Sequence, residues 1–192
     1  MLLTSPSYPL AYESIVARSR GTASSTTFLL VSPDPDALCA ARLLHSLLAA
    51  DSVPNTLLPV ASFSELEEVE LRLRGEEVRS LILINLGAVV DLYTYFGYLN
   101  EGAVVHVIDS HRPVSLPNLF TTAPWSEAAF DQRRKRGVKV DQGLQRGMEV
   151  VFWMDPEGEE GRDEQREAFK AIEVSCSHTT AKACGGAAPV NE

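Results

Sequence analysis

The run SLILIN, residues 80–85, shows no polar alternation. A strand with one wet face alternates apolar and polar side chains, so this run demands cover on both faces. FLLV at 28–31, NTLLPV at 55–60, AVVHVID at 103–109 and EVVFWMD at 149–155 supply four more candidate strands. Pro59 confines the second of these to an edge or a strand end, because it brings no backbone donor to the ladder. Between the strands the apolar spacing becomes helical. One helix is predicted from Asp36 to Ala50, burying Leu38, Ala41, Leu44 and Leu48. A second follows the capping box SELE at 64–67 and buries Leu66, Val69 and Leu73. A third covers 91–99. Such alternation defines an α/β fold, a parallel sheet of about five strands with helices on both faces. Residues 1–27, with their prolines and the cluster SRGTASSTT, read as an N-terminal lead-in with a short helix in AYESIVARS.

Parallel sheets bind ligands beyond the carboxyl ends of their strands. Asp34 and Asp36 follow the first main strand, Asn85 closes the third, and Asp109 closes the fourth, with Ser110 and His111 beyond it. Asp34, Asp36, Asn85, Asp109 and His111 are therefore expected along one edge of the sheet. Carboxylate oxygen suits magnesium or manganese, and manganese also takes imidazole. A two-metal hydrolase needs a bridging carboxylate between ions roughly 3.5–4 Å apart. The plainer reading is that Asp36 caps the helix it begins, facing the free amides and the positive dipole end. A strand followed by D-x-D also opens the haloacid-dehalogenase-type phosphatases, but Leu38 stands where their pattern has Thr or Val.

A formal net charge of -9 argues against general attraction to nucleic acid across the whole surface. The charge is uneven. Residues 131–146 hold six basic and two acidic residues, including RRKR, which reads as an import signal or a solvated loop. Residues 155–173 hold eight acidic and three basic residues, and their mixed i,i+3 and i,i+4 pairs support a helix only in part. Residues 174–192 have little to bury and are expected to be a disordered tail. Cys39, Cys176 and Cys184 form no even disulfide framework, which suggests a reducing compartment. Cys176, His178 and Cys184 lack a fourth zinc ligand. LILINLGAVV is too short to span a bilayer, and the N-terminus lacks a basic secretory start, so no membrane partner is expected. Tyr93, Tyr95, Phe96 and Tyr98 could stack bases or simply pack, and His45 and His106 read as core or boundary residues.

VSPDPDALCAARLL, LILINLGAVVD and VIDSHRPVSLPNLF, in this order, resemble the DHH phosphoesterase superfamily, which includes the RecJ exonucleases. Within it the chain more closely resembles the N-terminal part of a RecJ-related family of eukaryotic replication factors, over residues 28–120 and more loosely 149–173. The resemblance implies a DHH-type, Rossmann-like domain over 28–173, incomplete here, with an insertion at 121–148. Members are several hundred residues long, so an N-terminal fragment is expected.

The superfamily's first motif places a histidine upstream of two aspartates. The aspartates match Asp34 and Asp36, while Leu30 stands at the histidine position. Its second motif ends a strand with a metal-bridging aspartate, and here that residue is Asn85. Its third motif is Asp-His-His, here Asp109, Ser110 and His111. Leucine has no lone pair to offer, and an amide carries no charge to hold two dications together. The resemblance therefore implies a vestigial site with no catalytic residue, no cofactor and no expected metal. Asp34, Asp36, Asp109 and His111 are the residual candidate ligands, and Asp34 and Asp109 could equally be kept as partners of helix amides or of Arg112. It further implies a nuclear, non-catalytic subunit of the replicative helicase. Its role would lie in replication initiation, fork progression and the cell cycle, joining the MCM ring and the GINS complex. Origin chromatin and single-stranded DNA are further contacts. The alternatives are a manganese-dependent DHH phosphoesterase with a rearranged ligand set and a truncated product without partner binding.

Overall fold

The computed structural model describes residues 2–3, 5–22, 24–99, 102–120, 148–153 and 167. The chain divides after Asp155, and every element below lies in the first unit, Met1–Asp155. All but Met148 of the expected insertion at 121–148 lies outside the described residues, as do RRKR, the acidic segment save Glu167, and the 174–192 tail with Cys176, His178 and Cys184.

The strands are β1 (Leu2–Leu3), β2 (Thr27–Val31), β3 (Asn55–Pro59), β4 (Ser80–Ile84), β5 (Val104–Ile108) and β6 (Glu149–Trp153). The helices are α1 (Tyr8–Ser19), α2 (Pro35–Ala50), α3 (Phe63–Leu73), α4 (Leu92–Phe96) and α5 (Leu116–Phe120). All strand pairs are parallel, in the order β1-β6-β5-β4-β2-β3. β2 and β4 are buried along their whole length, as their unbroken apolar character requires. On one face Leu29, Val31, Ile82 and Ile84 meet Ile15 of α1 and Ala37, Ala41, Leu44 and Leu48 of α2. On the other, Phe28, Leu30, Leu81 and Leu83 meet Leu66 and Leu73 of α3 and Leu92 and Phe96 of α4.

Five strands fall where the sequence places them, and β1 is the sixth. The predicted lead-in joins the sheet, with Leu3 opposite Trp153 and Ile15 fully buried in the core. The helix there runs from Tyr8 to Ser19, beyond the short one expected. Leu38 is not on the buried stripe of α2 and is 53% exposed. Ala37 takes that place, since positions 37, 41, 44 and 48 stack on one face and 38 lies about 100° further round. The capping box of α3 sits two residues earlier than predicted. Ser62 Oγ accepts from Glu65 N–H at 3.3 Å, and Glu65 Oε2 accepts from Ala61 N–H at 2.7 Å. Val69 is half-buried, and Glu70 is buried instead, paired with Arg74 at 2.7 Å. β3 is an outer strand and ends at Pro59. His45 is exposed, bonded through Nδ1 to Asn55 Oδ1 at 2.8 Å.

His106 lies inside, under α1, where its Nδ1 accepts from Trp153 Nε1–H at 3.1 Å. Burial, with the Arg18 charge adding to it, pushes its pKa down to about 4. The ring is thus neutral in the folded chain, while the unfolded chain takes up a proton near the ordinary value of about 6.5. Its contribution is fully present above that value and is lost as pH falls toward about 4. Titrating the wild type and His106→Gln by urea unfolding should show up to about 3 kcal/mol of pH-dependent stability over that window in the wild type and not in the variant.

Candidate functional site

Strand order reverses between β2 and β4. From β2 the chain moves outward to β3, then crosses back to β4 and continues to β5 and β6. Such a switch point opens a crevice at the carboxyl edge. Asp34 follows β2 and Asn85 follows β4, so both stand at its mouth.

Asp34, and not Asp36, is the N-cap of α2. Its backbone is extended (φ -91°, ψ 157°), and Oδ1 accepts from Ala37 N–H at 2.8 Å. Its Oδ2 accepts from Asn85 Nδ2 at 2.8 Å. The Asn85 amide, followed by the Ala37 amide and the Ser32 hydroxyl, holds the Asp34 carboxyl down at about 2. Asp36 lies in the first turn of α2 and is exposed. Asn85 adopts φ 54°, the left-handed region that asparagine enters more readily than most residues. Its N–H donates to Ile108 O at 2.8 Å, which sets it beside the Asp109 loop.

Asp109 is buried, and both its oxygens are engaged. Oδ2 accepts from Ala88 N–H at 2.9 Å. Oδ1 accepts from His111 N–H at 2.9 Å and meets His111 Nδ1 at 2.6 Å. The His111 ring is 57% exposed, so it covers the carboxylate from the solvent side. Ser110 is exposed, and Arg112 turns back to Ser110 O and His111 O, at 3.3 and 3.2 Å. Arg112 is thus bonded to its own loop in place of Asp34 or Asp109. Leu30 is fully buried between β4 and β3, in the core shared with α3 and α4.

Asn118 was not singled out in the sequence, yet it organises the loop between β4 and α4. Its Oδ1 accepts from Leu92 N–H at 3.0 Å, and its Nδ2 donates to Gly87 O at 3.3 Å and Val90 O at 2.7 Å. Ser115 N–H donates to Ala88 O at 2.7 Å. Gly87 sits at φ 105°, and a Cβ there would come within 2.8 Å of Leu83 Cδ2. Phe96 is fully buried and Tyr93, Tyr95 and Tyr98 are half-buried against the same core, an arrangement that packs the aromatic segment.

Among the described residues no group of three or more His, Cys, Asp or Glu side chains is placed to hold a metal ion. A paired-metal site does not fit these residues. Asn85 presents an amide donor and no anion to Asp34, and Leu30 presents no donor atom.

A family model described as CDC45 matches residues 27–183. The cell division control protein 45 homolog of Schizosaccharomyces pombe is 37% identical over 122 residues, covering 62% of this chain and 19% of its own length. The homolog of Homo sapiens is 40% identical over 97 residues, covering 50% of this chain and 17% of its own. Protein TSD2 of Mycosarcoma maydis is 36% identical over 139 residues, covering 64% of this chain and 16% of its own. The crystal structure of CDC45 from Entamoeba histolytica shares the fold, with a TM-score of 0.59 at 20% identity, over 84% of this chain and 27% of that one. This chain therefore spans less than a fifth of the length of these curated relatives.

Removing the Asn118 side chain strands the Leu92 N–H and two loop carbonyls inside the protein. Asn118→Ala should cost roughly 1–3 kcal/mol in denaturant unfolding, with a similar loss for Asp109→Ala.

Proposed function

This chain belongs to the CDC45 family, and on that premise we propose that it is a non-catalytic DHH-fold part of the eukaryotic replicative helicase. In this reading it works in the nucleus in replication initiation and fork progression, and serves as a scaffold that joins the MCM ring to the GINS complex. The observation that carries the non-catalytic half of the reading is the hydrogen bond from Asn85 Nδ2 to Asp34 Oδ2 at 2.8 Å. Two dications held close together repel strongly, and only an anion between them offsets that repulsion. Asn85 stands at the place where the superfamily supplies this anion, and its amide nitrogen faces the carboxylate. Without the ion pair, a water molecule keeps a pKa far above neutrality and the phosphodiester loses its clamp.

The neighbouring carboxylate supports the same conclusion. Asp109 accepts from two backbone amides and meets an imidazole nitrogen, so its strongest acceptor directions point at the protein's own donors. These bonds connect the loops after β4 and β5 and make the vestigial site a structural joint. A domain that keeps such a scaffold without the reaction is suited to holding other molecules. A net charge of -9 favours protein partners over a broad nucleic-acid interface, which fits contact with a helicase ring and its accessory complex.

Incubation with single-stranded DNA and manganese should give no cleavage, and titration calorimetry should show no stoichiometric manganese binding. Cleavage that disappears in Asp36→Ala would overturn the non-catalytic reading. The scaffold role is tested separately. The tagged chain, expressed in the nucleus, should co-purify with MCM and GINS subunits, and recovery of neither would overturn it.

A further inference from the structure

We propose that the flank of α2 carrying Leu43 and Leu47 is a docking surface for a helix of another protein, one whose apolar stripe is bordered by lysine or arginine. The sequence of α2 already sets it apart. Of its sixteen residues only Asp36 and Arg42 carry a formal charge, whereas α3 has five charged residues in eleven. A helix so poor in charge is ordinarily covered on every side. Here one side is covered: Ala37, Ala41, Leu44 and Leu48 meet the sheet, while Leu43 is 69% and Leu47 is 54% exposed. Cys39, Leu43, Leu47 and Asp51 follow one another at i, i+4 spacing and form a single row along the helix. The row ends against α1, because Asp51 Oδ2 accepts from Tyr12 Oη at 2.6 Å. Tyr12 and Val16 of α1 and Ala40 of α2 are half-buried against the same core cluster and extend the apolar surface beside the row.

Charge and geometry together identify the occupant. Asp36 is exposed and lies two turns before Leu43 on the same flank, Asp51 closes the row, and Glu13, beside Tyr12, is exposed on α1. The bases of α2 lie elsewhere. Arg42 is about 100° round the helix from Leu43, and His45 is on the side that bonds Asn55 of β3. An acidic border attracts a cationic partner. It also repels a second copy of this chain, which carries the same border and a net charge of -9. The exposed leucines at i, i+4 form a ridge, and such a ridge packs into the groove between the ridges of another helix. The proposal gives the scaffold reading a surface and rests on that reading only for the presence of a protein partner.

Two labelled helical peptides with the same leucine stripe, bordered by lysine in one and by glutamate in the other, test this against the full chain by fluorescence anisotropy. The lysine peptide should bind, more weakly as salt is added, and the glutamate peptide should not. Leu43→Gln and Leu47→Gln should each weaken binding roughly tenfold. Glu13→Gln should weaken it several-fold and flatten the salt dependence. Leu38→Gln removes another exposed leucine, about 140° round the helix from Leu43, and should leave binding unchanged. These are surface changes, and an unaltered thermal unfolding curve checks that each variant is folded. Failure of the lysine peptide to bind, equal binding of the glutamate peptide, or a loss in Leu38→Gln as large as in Leu43→Gln would overturn the proposal. So would sedimentation showing that the chain self-associates through Leu43 and Leu47. Recovery of MCM and GINS subunits is a separate measurement, so failure of the scaffold reading and failure of this surface are told apart.

Discussion

A parallel sheet has no face that it can leave to water, and the arrangement of this chain follows from that requirement. β4 is buried from Ser80 to Ile84, so helices must lie above and below it. Those helices need loops at the strand ends, and these loops carry Asp34, Asn85, Asp109 and His111. α2 starts directly after β2 because Asp34 caps it, and α4 starts after β4 because Asp91 accepts from Tyr93 N–H. Asp34 therefore has a place in the fold whether or not chemistry occurs beside it.

The carboxylates at this edge are held by the same logic. A carboxylate that ligates a metal in one setting can satisfy backbone amides in another, since both tasks ask for lone pairs aimed at positive charge. Asp34 bonds a helix amide and a side-chain amide. Asp109 bonds Ala88 N–H across to the neighbouring loop and His111 within its own. Asn118 completes the brace from α5. The edge is held together by its own donors and acceptors.

The main strands were legible because four consecutive apolar residues in SLILIN leave little choice of environment. The details that failed did so for identifiable reasons. β1 is two residues long, shorter than any periodicity can register. Leu38 is more hydrophobic than Ala37, but the helical angle puts Ala37 in line with Ala41, Leu44 and Leu48. Two overlapping Ser-x-x-Glu frames, at 62–65 and 64–67, satisfy the same capping rule, and only the backbone at Ser62 decides between them. At the site, the sequence placed Asp34, Asn85 and Asp109 at strand ends but could not assign their lone pairs. The Asp34–Asn85 bond joins residues 51 apart, and Asn118 looks like any polar residue in a short helix.

The left-handed turn at Asn85 also bears on which side chains position 85 accepts. Aspartate tolerates such a turn nearly as well, so the backbone alone presents no obstacle. The obstacle is electrostatic. A carboxylate at 85 would press one anion against the oxygen of Asp34, which opposes ionisation of the pair. An aspartate at 85 thus replaces a satisfied hydrogen bond with a repulsion between like charges.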